Sequence, residues 1–164
     1  MIESLCDGER ERGATFSEVL VAMVLICVGV VGTMTAFEAA DKTLRGDALA
    51  ARALAMAEAR IEAKRAVPWE QVLLDDLDHD GAPEMAMRDD GSGGDPTAGD
   101  GIYSAVFEKD GVRVRWTVAS PRPGTLTNAE AILIEAHGYY QSATGAHEVH
   151  LATLRANPRF IGAH

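Results

Sequence analysis

Carboxylates on alternate residues are the first chemistry this chain offers. Asp76-Leu77-Asp78-His79-Asp80-Gly81 sets three oxygen ligands two residues apart, and the glycine permits the sharp turn that lets them converge on a hard cation. A helix-flanked calcium loop closes with a bidentate glutamate at position 12; that residue here is Met87, and Glu84 stands at position 9. A second set, Asp90, Asp95 and Asp100, lies along the glycine-rich run from Asp89 to Gly101. Nine acidic residues and one base, Arg88, fall between Asp75 and Asp100. Both sets are candidate Ca²⁺ ligands, and the plainer reading is a solvated region of Asp and Gly turns.

Other reactive constellations are weak. His147-Glu148-Val149-His150 carries half of a zinc motif, but H-E-x-x-H needs histidines four apart on a helix. Three apart in a strand, they face opposite sides. The sequence has no G-x-S-x-G, no P-loop and no cluster of paired cysteines, so the expectation is a protein that is not an enzyme and has no certain cofactor. Cys6 and Cys27 make no disulfide framework, because the first lies in a charged N-terminal stretch and the second in an apolar run. The 15 basic residues stand against 25 acidic ones, a net charge of −10. Such a chain repels a phosphate backbone, and no nucleic-acid partner is expected. Arg113 and Arg115 read as a solvated strand face.

One more acid needs an element to explain it. Glu18 sits at the lip of Val19–Phe37, 19 residues without a charge and with only two hydroxyls, Thr33 and Thr35. A carboxylate drawn into lipid costs a few kcal/mol unless paired. Either Glu18 closes a capping box with Thr15, or it is kept for a partner. As a helix, the apolar run covers about 28 Å, close to the ~30 Å hydrocarbon core. A transmembrane part over 16–37 follows. A secretory signal would be shorter and would end in small residues; this run continues without a break into further helix. From Glu38 to Ala66 the pattern is amphipathic, with Leu44, Ala51, Leu54 and Ile61 recurring beside Ala48 and Ala55. Val67-Pro68 ends it.

Residues 67–101 read as an acidic Gly/Asp-rich loop and 102–164 as a β domain. Strands are expected over Ile102–Glu108 and Val112–Ala119, joined by the hairpin signal Asp110-Gly111. Val112, Val114, Trp116 and Val118 alternate with polar residues. Further strands are expected over Ala131–Ala136 and Glu148–Leu154, with an irregular tail from Arg155 to His164. The fold class is α+β: a long N-terminal helix over 14–66, half membrane and half amphipathic, covering one face of a small antiparallel sheet.

The string Gly13-Ala14-Thr15-Phe16-Ser17-Glu18 and the run Glu18-Val19-Leu20-Val21-Ala22 that follows resemble the class III signal of type IV pilins and pseudopilins, the minor ones above all. The resemblance covers about the first 65 residues. It implies that residues 1–13 are a leader, that prepilin peptidase cuts after Gly13 on the cytoplasmic side and methylates Ala14, and that Glu18, fifth in the mature chain, serves assembly. It also implies the ladle shape of that family. The function so implied is a minor pilin-like subunit of a type IV pilus, assembled into the filament or priming it. Its partners would be the peptidase, other pilin or pseudopilin subunits and the inner membrane. The chain would pass the inner membrane once, with its C-terminal domain periplasmic before entering a surface filament or a periplasmic pseudopilus. The alternatives are a minor pseudopilin of a type II secretion system and a single-pass anchored calcium-binding domain.

Overall fold

Proline first enters the sequence at Pro68, and nothing before it denies a helix its backbone donors. Helix α1 accordingly runs over Phe16–Ala66 without interruption. The computed structural model describes residues 15–78, 80–122 and 125–160. After α1 come β1 (Leu74–Asp75), β2 (Met85–Ala86), β3 (Ile102–Lys109), β4 (Val112–Ala119), β5 (Ala131–Ser142) and β6 (Gly145–Ala156), with single 3₁₀ turns at Trp69–Gln71 and Leu126–Asn128. The chain divides into two compact units, one ending at Asp41 and one beginning at Lys42.

In the first unit every described residue, Thr15 to Asp41, is exposed. The most apolar window of α1 has a mean hydropathy of 2.5, so the helix is long and apolar enough to cross a membrane. The two hydroxyls of its uncharged run are satisfied within the helix: Thr33 Oγ1 donates to Val30 O (2.8 Å) and Thr35 Oγ1 to Gly32 O (2.9 Å). Neither would carry an unpaired donor into hydrocarbon.

The second unit is α+β. The C-terminal part of α1 packs on an antiparallel sheet of order β3-β4-β5-β6, and β1 pairs with β2 in a separate two-stranded ribbon. Asp110 (φ 52°) and Gly111 (φ 79°) make the tight β3–β4 turn, as their sequence signals. The alternating apolar residues of β4 are all buried, and Ile132, Ile134 and Ala136 of β5 join them.

The helix face on this core differs from the expected stripe. Ala53, Ala57, Ile61 and Lys64 are buried, whereas Leu44 is 67% exposed, Leu54 is 38% exposed, and Ala48, Ala51 and Ala55 are exposed. Close approach decides the matter. A Cβ on Gly138 would stand 2.9 Å from Ala53 O and 3.2 Å from Ala53 Cβ, so the helix backbone lies nearly on the strand. Only alanine fits at such a crossing, and the leucines turn outward.

At the end of α1 the chain buries a cation. Lys64 Nζ donates to Val72 O (2.8 Å) and Leu74 O (2.9 Å) and pairs with Asp75 Oδ2 (2.8 Å). Asp75 Oδ2 also accepts Trp116 Nε1–H at 3.0 Å. Burial pushes the Lys64 pKa below its usual value, against the opposing pull of Asp75. Three partners satisfy the ammonium, and the carboxylate between Lys64 and Trp116 ties helix, ribbon and sheet together.

Three expected boundaries change. The loop over 67–101 contains the β1–β2 ribbon, buries Trp69, Val72 and Met87, and pairs Arg88 with Ser104 at the edge of β3. Strands β5 and β6 are longer than expected, because their hairpin extends to Ser142 and Gly145. The tail is ordered at its start. Arg155, still in β6, donates to Lys64 O and Val67 O, carbonyls left open at the helix end. Asn157 is fully buried, with its side-chain amide on Ala129 O.

Candidate functional site

The first turn of α1 shows how the sequence treats Glu18. Thr15 N donates to Glu18 Oε2 at 2.7 Å, Thr15 Oγ1 donates to the same oxygen at 3.1 Å, and Glu18 N donates to Thr15 Oγ1 at 3.4 Å. This is a reciprocal capping box: the carboxylate folds back over the helix start, where the N-terminal dipole favours a negative charge. Immediately beyond it begins the exposed apolar surface of the first unit. Gly13 and Ala14, the proposed cleavage and methylation residues, lie outside the described residues, as does the whole leader.

The first acidic set converges. Oxygens from Asp76, Asp78, Asp80 and Glu84 lie within 4.8 Å of one another. Each acid also holds the turn: Asp76 accepts Gly81 N–H, Asp78 accepts Asp80 N–H, Asp80 accepts Ala82 N–H, and Glu84 accepts Leu77 N–H. Gly81 takes φ 93°, which a Cβ would resist. Met87, at the position where a helix-flanked loop has its closing glutamate, is buried in the core. The ligand set is four carboxylates without a twelfth-position acid, a chemistry suited to a hard divalent cation.

The second set changes membership. Asp95 and Asp100 converge with Asp89 rather than with Asp90. Asp89 gathers the N–H groups of Gly99, Asp100 and Gly101, while Asp95 accepts those of Gly91 and Thr97. Asp90 accepts instead from Ser92 N and Ser92 Oγ and stands 3.8 Å from Arg88 Nη1. The Ser92 bonds hold its carboxyl below the usual range. Adjacent residues of a tight turn point apart, so only one of the two aspartates can face the centre.

Compared with known protein families, with curated proteins and with solved structures, the chain gives no match. What it can do must therefore be read from its own residues.

His147 and His150 separate as their spacing requires. His147 stacks on Tyr140 (5.2 Å between ring centres) and shares its Nε2 with Ser142 and Thr144, whereas His150 lies on the other face against His137. Sequence reasoning missed His137 and Glu135, which stand beside His150 in space but 13 and 15 positions away in the chain. Their signal is the outward register of β5, visible only once the pairing with β6 is known.

Proposed function

We propose that this chain is a minor pilin-like subunit of a type IV pilus, cut after Gly13 by prepilin peptidase and assembled through the exposed apolar half of α1. The supporting observation is a glutamate in the first helical turn, followed by nineteen uncharged residues that the chain itself leaves uncovered. Such a surface needs lipid first and neighbouring subunits afterwards. The Thr15 amide is already 2.7 Å from Glu18 Oε2. Cleavage after Gly13 would put the new Ala14 ammonium one residue away, within easy reach of the same carboxylate. In a low-dielectric filament core that pairing is stronger than in water, whether made within the chain or with a neighbour.

A second reading, Ca²⁺ bound by Asp76, Asp78, Asp80 and Glu84, is favoured by the convergence of their oxygens. It is compatible with the first.

Mass spectrometry of the membrane-extracted protein is expected to show a chain beginning at methylated Ala14. Glu18→Ala is expected to be cleaved normally and to be depleted from sheared filaments. An intact Met1 start in cells that hold the peptidase would refute processing. Wild-type incorporation of Glu18→Ala would leave Glu18 a helix cap and nothing more. Normal processing with no recovery in surface filaments would favour the pseudopilin alternative.

A further inference from the structure

The face of the sheet turned away from α1 carries a third ligand set, made of nitrogen as well as oxygen. Along β5, Ile132, Ile134 and Ala136 are buried and Gly138 abuts Ala53. The pleat therefore turns Glu135, His137 and Tyr139 to the opposite side. The β5–β6 register sets His137 directly across from His150, with Glu135 two residues before His137 and Glu148 two residues before His150. The four side chains share one face at neighbouring positions.

Their geometry has the parts of a metal centre. One ligand atom from each of Glu135, His137 and His150 lies within 4.8 Å of the other two. His150 Nε2 is 3.4 Å from Glu135 Oε1, and the two imidazoles lie 4.3 Å apart between ring centres. Glu148 Oε1 meets His137 Nδ1 at 2.5 Å. A carboxylate on one ring nitrogen fixes the tautomer and presents the other nitrogen as a lone-pair donor, as in carboxylate–histidine–metal arrangements. The nearly parallel rings must tilt toward each other to converge on one ion, and the χ2 torsion of histidine is broad enough to allow it. The His150 side chain is 47% exposed, so that swing disturbs nothing in the core.

We propose that Glu135, His137 and His150 bind one divalent transition-metal ion, zinc by ligand type, with Glu148 as the positioning residue for His137. Two imidazoles and a carboxylate match zinc, whereas calcium and magnesium prefer all-oxygen sites such as the acidic loop. Arg115 pairs with His137 from β4 and opposes a cation there; the carboxylates of Glu135 and Glu148 offset it. Three protein ligands leave one coordination position open.

The test uses the full-length, untagged protein in detergent micelles with millimolar CaCl₂ present, so that the acidic loop does not compete for the probe. Titration calorimetry with ZnCl₂ is expected to give one ion per chain, and CoCl₂ is expected to give visible d–d bands of a low-coordinate nitrogen and oxygen site. His150→Ala and Glu135→Gln should each weaken zinc roughly tenfold or more, and Glu148→Gln should weaken it on the order of 10- to 100-fold. His147→Ala, on the opposite face, should leave affinity unchanged. Far-UV circular dichroism checks the fold of each variant, and His150→Gln replaces His150→Ala if the latter unfolds. No heat with zinc would overturn the proposal. Affinity that survives the His150 substitutions, or that falls equally with His147→Ala, would do so as well.

Discussion

Gly138 has room for a hydrogen and nothing larger. A methyl group there would meet the Ala53 carbonyl and force α1 off the sheet. Gly138→Ala is expected to cost about 1–3 kcal/mol, as overpacking does, read as a lowered melting temperature of the β domain. The pair Lys64 and Asp75 is the other single-residue control. Removing one partner of a buried ion pair strands the other, typically at ~3–5 kcal/mol. Lys64→Met should therefore destabilise strongly. Lys64→Met with Asp75→Asn should recover part of the loss, because a neutral amide can still accept from Trp116 Nε1. Urea unfolding followed by Trp fluorescence measures both; equal stability of Lys64→Met and the parent would show the pair to be energetically idle. The sequence signalled neither position. A glycine amid outward polar residues and a lysine in the last helical turn have ordinary local explanations, and their meaning comes from atoms far away in the chain.

Among the elements, the acidic loop brings four carboxylates, Asp76, Asp78, Asp80 and Glu84, within reach of one another. Its carboxylates repel one another, and their own backbone bonds, such as Asp76 to Gly81 and Glu84 to Leu77, hold them close in spite of this. Calcium binding to the folded form alone would stabilise it by RT ln(1 + [L]/Kd), about 2.7 kcal/mol at a hundredfold excess over Kd. Melting is expected to occur at higher temperature in millimolar CaCl₂ than in EGTA, MgCl₂ should not substitute, and Asp78→Ala should abolish the difference. Equal melting temperatures would leave the loop a network of Asx turns. The loop's D-x-D-x-D-G start was legible because its ligands are local in sequence. The exchange of Asp90 for Asp89 was not, since neighbouring residues differ only in which way the turn points them. Strands β3 and β4 were legible from alternation and the Asp-Gly turn. The ends of β5 and β6 were not, because hairpin pairing carries them through polar residues such as Gln141 and Ser142.

For the whole molecule, the division at Asp41 and Lys42 separates an apolar helical unit from one with its own core. A fragment covering 42–164 is expected to be soluble without detergent and to melt cooperatively, while the full chain stays with membranes through carbonate washing. A fragment that aggregates or melts without a transition would show that the β domain depends on the first unit. Composition and period alone were enough to establish the uninterrupted helix, its uncharged run and an antiparallel sheet with one apolar face, while the capping box at Thr15 and Glu18 was one of two readings the sequence left open. Each of these depends on residues within a turn or a strand of one another. Packing had to choose which helix face meets the sheet, and it chose the face of Ala53 and Ala57 over that of Leu44 and Leu54, because the Gly138 crossing leaves no space at Ala53 for a larger side chain. Strand pairing had to choose the register that gathers Glu135, His137 and His150, since those three lie on different strands and no local pattern links them.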